Sequence, residues 1–340
     1  MLQIDWLRGL PARVLGASGR ARVQTGVYRN ASGLIAARVR LDAAGCTVER
    51  LQAAAGSSHD EAVAQLARTG ALVKARLILV LSPDLYTIHP LSCPSVPPAE
   101  MRDALRWKLR DALPYAPEEA AIDFVRLAQA ADANAAASLL AVAAPRQTVA
   151  QAVAPLQKAG AIVEAVDIPE MAQRNVLARL PGAGEARALL GLGEHSALLT
   201  VVHEGALCFA RRIQIPRSLG MEEEDPEHVA TRIATQVQRS LEVVERQSGL
   251  APVRTVWIGP HPYCALIARC TAEQTGLDCL QLDLQSELRF APEAGGLLPE
   301  QAYGALIAIG AALRTERTGA AGAPAQERAA LSWMSRLKAA

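Results

Sequence analysis

A chain of 340 residues that is 51% hydrophobic is larger than a single core usually grows, so two lobes are expected. Its 35 Lys and Arg against 34 Asp and Glu leave a formal charge of +1, which excludes the global field that would make nucleic acid or an anionic membrane the main partner. The six cysteines, Cys46, Cys93, Cys208, Cys264, Cys270 and Cys279, stand singly with no CxxC pair, which excludes a small disulfide framework and fits a reducing cytoplasm.

Residues 1–24 mix apolar and basic positions with Pro11 and several glycines, and read as an irregular leader without the basic and long apolar regions of a secretory signal. Leu2, Ile4, Trp6, Leu7 and Leu10 suit one side of a short docking helix, and a frayed terminus is the alternative. No run reaches the roughly 18 to 20 apolar residues of a membrane span, and the longest candidate, 305–313, is too short, so membrane contact is expected to be indirect or peripheral.

Strand character begins near 25–27 and continues over 32–41, and 60–69 carries apolar positions at helical spacing. The aliphatic run 77–81 suits a buried strand, and 85–89, after the turn signal Ser82-Pro83-Asp84, reads as its neighbour. Residues 97–113 form the clearest helix, opened by Pro97-Pro98, with Met101, Leu105, Leu109 and Leu113 recurring every fourth residue, and closed by Pro114. Arg102, Arg106 and Arg110 lie one turn apart on another face of it, either as a stripe for an acidic partner or as a solvated face balanced by Asp103 and Asp111.

Strands follow at 121–127 and 138–143, a helix at 147–159 and a strand at 162–166. After a glycine-rich break at 181–184, strands at 188–192, 197–202 and 206–215 predict an antiparallel meander. Asp225-Pro226 opens a long amphipathic helix stopped at Gly249. Strand 255–258, helix 262–275, strand 279–282, a loop over 285–298 and a helix over 300–313 complete the order, which is α/β.

The chain lacks GxxxxGK[ST], GxSxG and HExxH runs, and Gly191-Leu192-Gly193 precedes a strand instead of a phosphate-holding helix. His261, Cys264, Cys270 and Cys279 fall close together, but Cys264 and Cys270 are six residues apart on a predicted helix and face different ways, so no metal is expected.

The stretch SVPPAEMRDALRWKLRDALPYAPEEAAIDFVRL, residues 95–127, resembles the signature of the PilM/MshI proteins of type IV pilus biogenesis: a helix with a Leu-Arg-Trp core, a Pro-aromatic step, and an acidic segment ending in Asp-Phe. Residues 139–179 and YGALIAIGAALR, 303–314, are similar to later parts of that family, and the likeness runs over roughly 25–314. The resemblance implies a two-lobed actin-like, ribonuclease H-like duplicated fold. Its first lobe would span 25–187 with a subdomain inserted at about 76–144. The second lobe would span 188–298, a closing helix over 299–314 would return to the core, and 315–340 would be a disordered tail.

It also implies a cytoplasmic scaffold of an MSHA-like pilus machine at the inner membrane. The partner would be the cytoplasmic N-terminal peptide of a bitopic PilN- or MshJ-type protein and, through it, the pilus alignment complex; a homodimer is left open. The peptide would lie beside the 97–113 helix, against Arg102, Arg106, Trp107, Leu113, Pro114 and Tyr115, although Trp107 and Leu113 suit the subdomain core equally.

Three family nucleotide positions are altered. Tyr28 stands where the first phosphate loop has Asp, Gly191-Leu192-Gly193 replaces Asp-x-Gly, and Gly259-Pro260 replaces Gly-Gly. The expectation is therefore no cofactor and no catalysis, with Mg-ATP belonging only to the alternative of an active ATPase whose nucleotide state controls partner binding.

Overall fold

The computed structural model describes residues 21–30, 33–43, 45–129, 138–182, 185–193, 195–215, 225–250, 252–296 and 299–314. The chain opens with an antiparallel meander of β1 (Arg22–Asn30), β2 (Gly33–Asp42) and β3 (Gly45–Ala55). Period-two alternation makes β2 a strand: Val39 and Leu41 are buried, while Arg38 and Arg40 face out and pair with Glu49 on β3. α1 (His59–Arg68) follows, then β4 (Arg76–Val80), which is parallel to β1.

A three-stranded sheet of β5 (Thr87–Ser92), β6 (Ala120–Arg126) and β7 (Ser138–Pro145) carries α2 (Met101–Leu109). α3 (Arg146–Lys158) leads back to β8 (Ile162–Asp167) beside β4, and α4 (Pro169–Leu177) leaves for the second sheet. That sheet repeats the first: β9 (Arg187–Leu192), β10 (Ser196–His203) and β11 (Ala206–Gln214) form a meander. α5 (Pro226–Ser248), β12 (Thr255–Ile258), α6 (Cys264–Thr275) and β13 (Asp278–Gln281) then add two parallel strands. α7 (Leu284–Glu287), β14 (Arg289–Phe290) and α8 (Ala302–Ala312) close the order.

Both sheets thus read third, second, first, fourth, fifth: β3-β2-β1-β4-β8 and β11-β10-β9-β12-β13. This duplicated ribonuclease H-like order is the actin-like fold. Adjacent β1 residues enter different cores. Val27 joins α1 and α3 on one face, and Tyr28 joins α4 and α8 on the other. α4 and α8 also meet Leu189, Val202 and Trp257 of the second sheet, whose far face is covered by α5 and α6. α8 is apolar all round because it lies between the sheets. Gly26 and Gly310 let backbones touch there: a Cβ on Gly26 would meet Ala308 O at 1.9 Å, and one on Gly310 would meet Ala172 O at 2.1 Å.

The inserted sheet is buried on both faces. Ile122, Phe124 and Leu139 pack against Met101, Leu105 and Leu109 of α2, while Val125, Leu140 and Val142 join the first-lobe core with Val149 and Val153 of α3.

Several expectations need correction. β4 and β5 are not neighbours: the 3-10 turn Pro83–Leu85 diverts the chain, so β4 lies between β1 and β8 while β5 pairs with β7. The loop expected over 285–298 contains α7 and β14, and β14 pairs with β3, so the chain rejoins the first sheet before α8. Strand β1 starts at Arg22, inside the expected leader. The rest of that leader, 1–20, and the tail 315–340 lie outside the described residues. Cys270 is buried, and Cys264 bonds to Gln281 Oε1 at 3.3 Å. Among the described residues no helix is long and apolar enough to cross a membrane.

Candidate functional site

The chain has two candidate sites, which share the end of β1. The first is the cleft between the lobes. Tyr28 points into it, and its ring meets Tyr303 of α8 edge-on with centroids 6.1 Å apart. The Tyr303 ring lies against the second-lobe loop: a Cβ on Gly191 would approach Tyr303 Cε2 to 2.9 Å, and one on Gly193 would approach Cε1 to 3.2 Å. Gly259 donates its N–H to Leu190 O at 2.8 Å, which sets it beside Gly191. The four positions singled out in the sequence, Tyr28, Gly191, Gly193 and Gly259, therefore do converge. Three of them, Tyr28, Gly191 and Gly193, meet at Tyr303, which the sequence marks only as part of the closing helix, and Gly259 lies beside Gly191.

Beside this ring runs a buried polar chain. Glu170 on α4 is 1% exposed and accepts from Tyr86 Oη at 2.6 Å, from Arg212 Nε at 3.0 Å and from Arg212 Nη2 at 2.5 Å. Arg212 comes from β11 of the second lobe, also donates to Tyr86 Oη, and sits over the Tyr86 ring at 5.2 Å. Tyr86 lies between β4 and β5, where the inserted sheet leaves the first lobe. Burial pushes the Tyr86 and Tyr303 hydroxyls well above their usual pKa, so both stay protonated. Burial opposes the Arg212 charge, but the Glu170 carboxylate outweighs it and raises the guanidinium above its usual value. Gln173 completes the cluster by accepting from Thr200 Oγ1 at 2.9 Å across the lobes.

The second site is a groove of about 580 Å³ where the inserted sheet meets the first lobe. Leu79, Leu81 and Leu85 make an apolar floor, and Gln151, Ala152 and Pro155, on one face of α3, make a wall. Arg29 and His59 enter from β1 and the start of α1. His59 Nε2 lies 2.8 Å from Ala152 O, and burial, against the pull of that carbonyl, keeps the ring pKa below its usual value. Pro155 lacks an N–H, so the helix has no donor for the Gln151 carbonyl.

The α2 residues proposed for partner contact differ in their surroundings. Arg102 Nη2 lies 3.6 Å from the buried Asp123, and Arg106 pairs with Asp103. Leu113 is buried under α2, and Tyr115 packs partly against the same core. Pro114 is exposed, and Trp107 is 69% exposed with the Arg110 guanidinium 4.3 Å from its ring centroid, so Trp107 is not core.

Residues 94–216 match the family model for type IV pilus assembly protein PilM. A search of curated proteins finds no match. Among solved structures, the chain is similar to the PilM-PilN type IV pilus biogenesis complex, with 17% identity over 85% of this chain and 97% of that one and a TM-score of 0.66. It is also similar to the cytoplasmic domain of EpsL, an inner-membrane component of the type II secretion system of Vibrio cholerae (15% identity, 88% and 99% coverage, TM-score 0.48). A Bacteroides thetaiotaomicron protein of actin-like ATPase fold gives 9% identity, 84% and 95% coverage and a TM-score of 0.44.

Proposed function

Starting from a PilM-like chain of actin-like fold, we propose that it is a non-catalytic scaffold of a type IV pilus assembly machine of MSHA type. It binds the cytoplasmic N-terminal peptide of a PilN- or MshJ-type inner-membrane protein and so sits at the cytoplasmic face of that membrane, linked to the alignment complex. The observation that carries this reading is the groove at the root of the inserted sheet. It is built from 79–85 and 148–155, and its α3 wall falls inside the stretch that matches the PilM family. A groove with a partly apolar lining and a helix carbonyl left without a helical donor suits an extended peptide, whose side chains alternate and whose N–H groups need acceptors. Of the α2 residues, Leu113 and Tyr115 pack on the inserted sheet's core, while Trp107 and Pro114 stay exposed and available to the same partner.

Non-catalytic status is supported by the cleft. A magnesium nucleotide needs a carboxylate near its phosphates and room for them. Tyr28 offers a phenol, Tyr303 lies against Gly191 and Gly193, and Glu170 is already held by Arg212 and Tyr86. These residues do not fit that group. Titration with Mg-ATP is expected to leave the Tm of the full chain unmoved up to millimolar concentration. A rise at sub-millimolar ATP would sink the non-catalytic reading in favour of an ATPase whose nucleotide state controls the partner, since ligand binding to the native state raises Tm by mass action.

The peptide seat has its own test. Ala152→Trp puts an indole into the groove from a half-exposed helix position. It is expected to abolish binding of the PilN-like N-terminal tail, read by fluorescence anisotropy, while leaving Tm within a few degrees of wild type. Undiminished binding by this variant moves the seat elsewhere.

A further inference from the structure

We infer that the peptide taken by this groove carries a carboxylate among its apolar residues, and that Arg29 selects it; the inference rests on the groove being the peptide seat. Tyr28 points into the interlobe cleft, so strand alternation turns Arg29 the other way, into the groove. Its backbone is fixed there, because Ser82 Oγ donates to Arg29 O at 3.0 Å. Arg29 is a partly exposed residue lining the groove, and among the described residues it forms no ion pair with a carboxylate. A guanidinium at the edge of an apolar groove is a ready partner for a carboxylate, which it can hold bidentately, fixing the register of a peptide along the groove.

The charged and titratable neighbours do not remove this demand. Asp60 lines the same groove but is exposed in the first turn of α1, where its charge complements the positive end of that helix. His59 is biased toward the neutral form by burial and by Arg29 itself, so it adds no fixed charge. The partly exposed apolar lining of Leu85, Ala152 and Pro155 disfavours a lone hydrophilic anion as the natural occupant, since such an ion would leave that surface uncovered. The combination asks for an extended apolar segment with one Asp or Glu facing Arg29.

The test uses the full chain and fluorescein-labelled dodecapeptides tiling the cytoplasmic N-terminal tail of the cognate PilN-like protein, read by anisotropy. The peptide that binds is expected to contain Asp or Glu, and its amide counterpart, Asp→Asn or Glu→Gln, to bind about tenfold more weakly. Arg29→Gln is expected to weaken the acidic peptide by a similar factor and to be indifferent to the amide exchange, the non-additivity of a direct pair. Arg29→Glu is expected to recover a peptide whose acid is changed to Lys. Equal binding of the acidic and amide peptides by wild type overturns carboxylate selection. If Arg29→Gln matches wild type while Ala152→Trp abolishes binding, the seat stands and the role of Arg29 falls. If no peptide binds, or Ala152→Trp binds normally, both fall together.

Discussion

Replacing Arg212 by Met is expected to lower the stability of the folded chain by about 3 kcal/mol, the low end for breaking one side of a buried ion pair. Glu170 is 1% exposed and would keep its charge with only the Tyr86 hydroxyl to answer it. The low end applies because Arg212 retains 21% of its side-chain exposure, so water screens part of the interaction. The corresponding fall in Tm is roughly 4–5 °C, because the unfolding entropy grows with chain length. Glu170→Met combined with Arg212→Met is expected to sit closer to wild type than Arg212→Met alone, because the double change leaves no orphan charge in the interface. Denaturant midpoints of the three proteins decide the matter. A single variant within about 0.5 kcal/mol of wild type would show that the pair is not the tie between β11 and α4 described above.

The second large effect is at Gly310. In an ordinary helix interior, Gly→Ala stabilises by about 1 kcal/mol through backbone entropy. Here the added methyl would stand 2.1 Å from the carbonyl oxygen of Ala172, a backbone atom that can yield only if α4 and α8 separate. Overpacking of a tight interior costs about 1–3 kcal/mol even where side chains can adjust, so the net change is expected to be a loss of about 3 kcal/mol or more, at least roughly 4 °C in Tm. Gly26→Ala should act alike, since its methyl would meet Ala308 O at 1.9 Å on the same helix. The sign is the informative part: stabilisation by Gly310→Ala would mean that the two helices do not touch there.

The elements legible in the sequence were those whose signals are local. Strand Thr255–Ile258 was read to the residue, and α5 lay between the Asp225 cap, which accepts from Glu227 N at 3.0 Å, and the left-handed Gly249. α2 showed its four-residue apolar spacing because one face alone is buried. α4 was missed for the opposite reason. All nine of its residues are buried, so no polar face marks the period, and its polar side chains bond within the protein: Gln173 Oε1 accepts from Thr200, and Asn175 donates to Gly310 O at 2.9 Å. β3 was missed because Glu49, Arg50 and Gln52 interrupt its apolar positions.

The same division holds for the sites. Tyr28 and the three glycines were visible as departures from a known pattern, whereas Tyr86, Glu170 and Arg212 come from segments 84 and 42 residues apart and carry no local mark. One clue was present: an acid directly after Pro169 in an otherwise apolar stretch asks for a distant cation. In the sequence Arg29 stands out only as a neighbour of Tyr28, since alternation along a strand separates sites that adjacency in sequence joins.

The tie between Glu170, Arg212 and Tyr86 has a consequence for how the protein responds to its surroundings. All three groups belong to one chain, so their effective concentration is set by the fold and not by any solute. A lobe interface closed by a nucleotide follows the energy charge of the cell, loosening as the triphosphate falls. On the proposed reading, in which the cleft takes no nucleotide, closure by internal side chains would hold at the same strength in a starved cell as in a growing one.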